Sequence, residues 1–138
     1  MVIVVVVGAR VPSGSIPGIY ERVHRPICDL LYACAGLRLM HEGISDLALE
    51  GRKVCGSSLY LCRTPALFCY QSSLMVDNDL SLIDRYLLHP PREPAYRAGR
   101  AHAQFCTSLR SGGAALTARM VASLLETGLA PRIEPPAQ

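Results

Sequence analysis

The chain has 138 residues, 50% of them hydrophobic and 6% aromatic, and a formal net charge of +3. That length holds one modest domain and that apolar fraction a real core, which excludes general disorder. The small charge, scattered arginines and few aromatics argue against a nucleic-acid platform, although a mildly basic surface suits an acidic protein partner.

Val2 to Val7 is an unbroken apolar run. It is far too short to cross a bilayer, and no basic segment precedes it as a secretory signal requires. It reads as a central strand buried on both faces, which must pair with later strands or with chain that is absent. Gly8 to Gly18 holds the prolines, serines and glycines of a loop. In Ile19 to Cys34 apolar residues recur at three- and four-residue steps (Ile19, Val23, Ile27, Leu30, Leu31, Cys34), predicting an amphipathic helix that Pro26 restarts or kinks and Gly36 ends. Leu37 to Leu39 is a short strand candidate.

Leu47 and Leu49 alternate with Asp46, Ala48 and Glu50, the period of a strand with one buried face. Glu50-Gly51 reads as a two-residue turn, since Gly51 accepts the positive φ a tight hairpin needs. Val54 to Leu61 is the returning strand, and Gly56 within it marks a bulge or a close approach of ligand or backbone. Arg63-Thr64-Pro65 turns the chain again and Ala66 to Val76 is the next antiparallel strand. Asp77-Asn78-Asp79 offers N-cap chemistry for a helix over Leu80 to Leu88, with Leu80, Ile83 and Leu87 on one face and Pro90 and Pro91 beyond its end. Pro94 to Arg100 is a loop with two arginines, Ala101 to Leu109 a short helix or extended arm, and Ala114 to Gly128 a final helix. Residues 1–129 form the domain and residues 130–138 a proline-rich tail that frays.

Antiparallel hairpins with helices gathered on one side define an α+β fold. The cysteines Cys28, Cys34, Cys55, Cys62, Cys69 and Cys106 form no C-x-x-C pair, and with His24, His41, His89 and His102 they show no structural-zinc spacing. They read as reduced thiols of a cytoplasmic protein, with no metal site expected. The chemistry concentrates in the Gly43–Ser58 hairpin. Lys53, at the root of its second strand, sets a cation beside backbone that small residues leave accessible, an arrangement suited to phosphate or carboxylate oxygens. A lone hairpin lysine is, by itself, ordinarily only solvated.

From Ser45 to Leu109 the chain resembles the biotin/lipoate A/B protein ligase family, most closely its lipoate-protein ligase and octanoyltransferase branch. The likeness rests on the hairpin Gly51-Arg52-Lys53-Val54-Cys55-Gly56-Ser57 followed, in the same order and separation, by SLMVDNDLS (Ser73 to Ser81). The resemblance implies part of a class II synthetase-like biotin/lipoate ligase fold, its C-terminal portion. It also implies a mechanism: a medium-chain acid condensed with ATP to an acyl-adenylate, then passed to a lysine of a small carrier domain. Lys53 takes the position of the lysine that contacts the acyl carbonyl or mixed anhydride, where an ammonium offsets charge on the oxygen. Gly51, Arg52, Gly56, Ser57, Ser58, Gln71 and Ser72 are the implied substrate-binding positions. ATP and Mg are the implied cofactors and lipoate or octanoate the substrate. The implied partner is a small acidic lipoyl carrier domain or a glycine-cleavage H-like protein, with no nucleic acid and no membrane involved.

Departures from the family pattern shape the expectation. Gln71-Ser72-Ser73 stands where relatives carry a His-Gly-Thr or His-Gly-Ser step, and only Thr107 to Leu109 match the later motif, which leaves His102 a structural residue. The arginine- and glycine-rich segment that precedes the first strand in relatives has no counterpart here, so impaired activity is expected. Two other readings follow: a non-catalytic acyl- or carrier-binding remnant, and a cysteine-dependent octanoyltransferase, for which Cys34 and Cys55 are the thiols nearest the hairpin.

Overall fold

In the computed structural model, which describes residues 1–9 and 15–133, a five-stranded antiparallel sheet carries the domain. Its strands are β1 (Val2–Ala9), β2 (Leu39–Glu42), β3 (Asp46–Leu49), β4 (Arg52–Cys62) and β5 (Leu67–Leu74), in the spatial order β1-β5-β4-β3-β2. The helices are α1 (Ile16–Ala35), α2 (Ser81–Tyr86), α3 (His102–Phe105), α4 (Ala118–Gly128) and α5 (Ala130–Ile133), with a 3₁₀ turn at Ala95–Arg97. The α+β reading holds: α1, α4 and α5 gather with Val2, Val4, Phe68, Tyr70 and Leu74 of the sheet into one hydrophobic core.

The 20-residue α1 starts earlier than its apolar period implies, because the Ser15 hydroxyl accepts the Gly18 N–H and Pro17 fits the first turn, where no intrahelical partner is needed. It runs through Pro26 as one element and ends at Gly36, whose φ of 68° lets its N–H reach the Tyr32 carbonyl. Its buried stripe, Ile19, Val23, Ile27, Leu30 and Leu31, is the predicted one except for Cys34, which is exposed in the last turn. Residues 10–14 of the expected Gly8–Gly18 loop lie outside the described residues, and β1 and α1 take up most of its ends.

The valine run is an edge strand, not a central one. Val2 and Val4 are buried against the helices, while Ile3, Val5 and Val7 are 49%, 58% and 63% exposed. Among the described residues β1 pairs with β5 alone, from Val2↔Leu74 to Ala9↔Leu67. Branched residues secure the strand conformation, but they say nothing about how many neighbours it has. A groove of about 490 Å³ runs between β1 and the α4–α5 corner, lined by Val2, Val4, Leu125, Leu129 and Ile133 among others.

Other differences have similar causes. β3 is buried on both faces rather than one, since Asp46, Leu47, Ala48 and Leu49 are all shielded. The short strand lies at Leu39–Glu42 instead of Leu37 to Leu39. α2 is shorter than expected and none of its residues is buried; Leu80 and Ile83 of the expected face are half-buried and Leu87 is exposed. The final helix begins at Ala118, where Thr117 accepts the Met120 N–H, and Ala114 and Leu116 reach the core from an extended segment. Residues 130–133 of the expected tail form α5, whose Ile133 is buried; residues 134–138 lie outside the described residues. Among the described residues no helix is long and apolar enough to cross a membrane, and the six cysteines are free.

Candidate functional site

The β3–β4 hairpin turns where the sequence predicts. Glu50 and Gly51 both have positive φ, 52° and 71°, between the paired residues Leu49 and Arg52, the geometry of a two-residue turn matched to strand twist. The irregularity in this hairpin is not at Gly56. Leu47 pairs with Cys55 and Ala48 with Lys53, leaving Val54 as the extra residue of a bulge beside Lys53.

Gly56 is nevertheless a close-approach position, and the group approaching it is Lys53. A Cβ at residue 56 would stand 2.9 Å from both Cε and Nζ of Lys53. Across the ladder from Gly56 is Asp46, whose Oδ1 lies 2.8 Å from the Lys53 Nζ. The Asp46 side chain is 9% exposed and that of Lys53 29%, so the carboxylate is enclosed and the ammonium reaches the open face of the sheet. The Tyr96 hydroxyl donates to Asp46 Oδ2 at 2.9 Å. Burial, and then its bond to Asp46, hold the Tyr96 phenol well above its usual range, so it remains a donor.

Two arginines bind the segment carrying Tyr96 to the hairpin, and a third braces that segment internally. Arg52 donates to the carbonyls of Ala103 and Cys106, at 2.8 and 2.6 Å. Arg100 donates to Gly51 and Tyr96 carbonyls, at 3.0 and 2.7 Å. Arg97, 4% exposed, lies 3.3 Å from a Glu93 carboxylate oxygen and over the Phe105 ring. Beyond the end of β5, Cys106 forms a parallel bridge to Lys53, and the Thr107 N–H donates to the Lys53 carbonyl at 2.8 Å. The loop predicted over Pro94 to Arg100 is therefore an anchored cover.

The residues expected to bind substrate fall on two faces. Ser58 pairs with Gln71 and Gly56 with Ser73 on the Lys53 side, where Gln71 is exposed. Ser57 and its partner Ser72 point the other way, toward α1. There the Ser57 hydroxyl donates to the Ser45 carbonyl and lies 3.2 Å from His24 Nε2. His24 is 2% exposed and its pKa falls to about 4, through burial and then the nearby His41. Gly51 serves the turn and Arg52 is engaged by backbone carbonyls. Sequence reasoning missed Asp46 and Tyr96. One signal was in plain view: of 14 basic residues, Lys53 is the single lysine.

The donor set fits one acyl carboxylate or carbonyl oxygen. It does not fit Mg-ATP, because a triphosphate needs several cations and donors, whereas Lys53 supplies one ammonium, already sharing a donor with Asp46, and Arg52 and Arg100 are turned to carbonyls. Of the two thiols named for a cysteine mechanism, Cys34 is exposed in the last turn of α1 and Cys55 is buried in β4, where it is no ready thiolate. Burial pushes the thiols of Cys55 and Cys28 up to about 11 and raises that of Cys106.

Solved structures share this fold at low identity. A bi-partite lipoate protein ligase from Thermoplasma acidophilum, solved with its E2 lipoyl domain, superposes with a TM-score of 0.70 at 13% identity, over 95% of this chain and 49% of that one. A lipoate-protein ligase A bound with ATP gives 0.72 at 13% identity, over 94% and 50%. P. falciparum LipL1 in complex with lipoate gives 0.69 at 14%, over 97% and 35%. The chain thus spans half or less of these proteins. No curated protein sequence matches it. The model of the lipoyl protein ligase A/B catalytic domain matches residues 1–130, nearly the whole chain, and the chain belongs to that family.

Proposed function

We propose that this chain handles a lipoate-type acyl group at Lys53 and takes part in its transfer to the lysine of a carrier domain. The observation carrying this reading is the single lysine of a family-matched domain, set on the open sheet face beside Gly56 with its counter-ion enclosed. In that position the ammonium donates to the acyl oxygen and offsets the negative charge that develops there when an amine attacks. Gly56, Ser58 and Gln71 line the path of the acyl chain on the same face, whereas Ser57 and Ser72 support the strand from behind.

Activation by ATP with Mg is part of the family mechanism, and it needs cations and backbone N–H groups beyond those gathered around Lys53. The archaeal relative solved with its E2 lipoyl domain and the net charge of +3 support an acidic lipoyl domain as the acceptor's carrier. Six free thiols fit a reducing compartment such as the cytoplasm.

Calorimetry of lipoate binding to the 138-residue chain, with Lys53→Ala as the comparison, tests the proposal. Saturable binding that weakens at least about tenfold in the variant, the loss expected on removing a charge-assisted hydrogen bond, supports it. Absent binding, or equal binding by both proteins, overturns it.

A further inference from the structure

We infer that Asp46 and Tyr96 are positioning residues for Lys53, holding its ammonium over the Gly56 notch with N–H donors left for an acyl oxygen. This rests on the acyl-handling reading above and adds the groups that make the lysine usable.

A lysine ammonium rides on a flexible four-carbon stem, so when unheld on an open sheet face it spends little time in any one place. Here it has an anchor. Asp46 Oδ1, 2.8 Å away, engages one of its three N–H donors, and the other two have no partner among the described residues and can meet a ligand. The second carboxylate oxygen is held by the Tyr96 hydroxyl at 2.9 Å. With one oxygen on each partner, Asp46 cannot swing without breaking a bond.

The clamp has a common base. Tyr96 sits in the 3₁₀ turn, and Arg100 ties the carbonyl of Tyr96 to that of Gly51, in the same hairpin turn that precedes Lys53. The lysine and its holder therefore move as one body. The exposures separate positioning from simple stapling: the pair is turned with its carboxylate inward and its ammonium outward, 9% against 29%. A staple has no use for that asymmetry. The missing side chain at residue 56 has the same meaning, since its space is filled by the end of Lys53.

Because Lys53 is the single lysine, its freedom can be read on the intact chain without any ligand. Acetic anhydride labelling followed by mass spectrometry reports one side-chain amine besides the N-terminus. Asp46→Asn keeps the shape and an acceptor for Tyr96 but loses the charge. It is expected to speed Lys53 labelling about tenfold, and Tyr96→Phe about threefold, as expected for losing an enclosed ion pair and one hydrogen bond. Equal rates in folded wild type and Asp46→Asn overturn the clamp.

Should Asp46→Asn fail to fold, the wild type and Tyr96→Phe decide. With ¹⁵N-lysine, a held ammonium gives one sharp NH₃⁺ cross-peak that weakens in Tyr96→Phe; no cross-peak in the wild type overturns the inference. The positioning role has its own readout: Asp46→Asn should weaken lipoate binding by calorimetry about tenfold, while unchanged affinity alongside faster labelling reduces the pair to a staple and overturns it. If wild type binds no lipoate, the functional reading falls, and the labelling rates still decide whether the clamp exists.

Discussion

At Gly56 the absence of a Cβ is what lets a neighbouring side chain lie across the strand. Gly56→Ala places a methyl 2.9 Å from the end of Lys53, which is flexible and can yield. The expected outcome is a stability change within about 1 kcal/mol in urea unfolding, together with weakened lipoate binding in calorimetry. A variant that binds as wild type does would show that the ammonium does its work elsewhere. Lys53 and Gly56 were legible in the sequence because turn chemistry fixes a hairpin within a few residues. Asp46 was not: alternation assigned it to a solvent face, and only the strand register sets it opposite Gly56. Tyr96 lay further out of reach, since no local pattern says that a loop will fold back onto a hairpin. Ser57 and Ser72 were placed on the binding face by family likeness alone; the period of two turns them inward.

Between α1 and the sheet sits a buried polar cluster whose effect is felt at the level of the element. His24 packs among Tyr20, His41 and Tyr70, with ring centroids 5.5, 4.8 and 5.6 Å away, and its Nδ1 has no hydrogen-bond partner. Folded, it is neutral down to about pH 4, whereas in the unfolded chain it takes a proton near the ordinary value of about 6.5. The unfolded state therefore binds more protons between these values. Stability is full above about pH 6.5 and falls toward pH 4 by up to about 1.4 kcal/mol per pH unit, roughly 3 kcal/mol in all. Urea unfolding across that range should show the slope in wild type and a flatter profile in His24→Gln. The stripe of α1 was readable from sequence because a helix period names a buried face. The same logic overreached at α2, where Leu87 of the expected face is 59% exposed and Leu80 and Ile83 are only half-buried. Periodicity tells which side is apolar, not whether anything covers it.

For the molecule as a whole, the open edge of β1 is the exposed liability. It has no charged side chain, proline or bulge, the usual protections of an edge strand, and its outward residues are valine and isoleucine. Concentration-dependent self-association is expected in sedimentation velocity, and Val5→Lys, at a position 58% exposed, should suppress it with little loss of stability. A wild type that stays monomeric at high concentration would contradict this. The pairing of that strand also sets a schedule. β1 finds its partner β5 only across α1 and the whole β2–β4 meander, so its contacts close the longest loop in the sheet, while the β3–β4 and β4–β5 hairpins close locally. Closing long loops before any contact rewards them is slow, so β1 should be among the last strands to dock. Pulsed hydrogen exchange during refolding should protect β4 amides before those of β1, and until that moment the valine run is an unpaired, sticky segment.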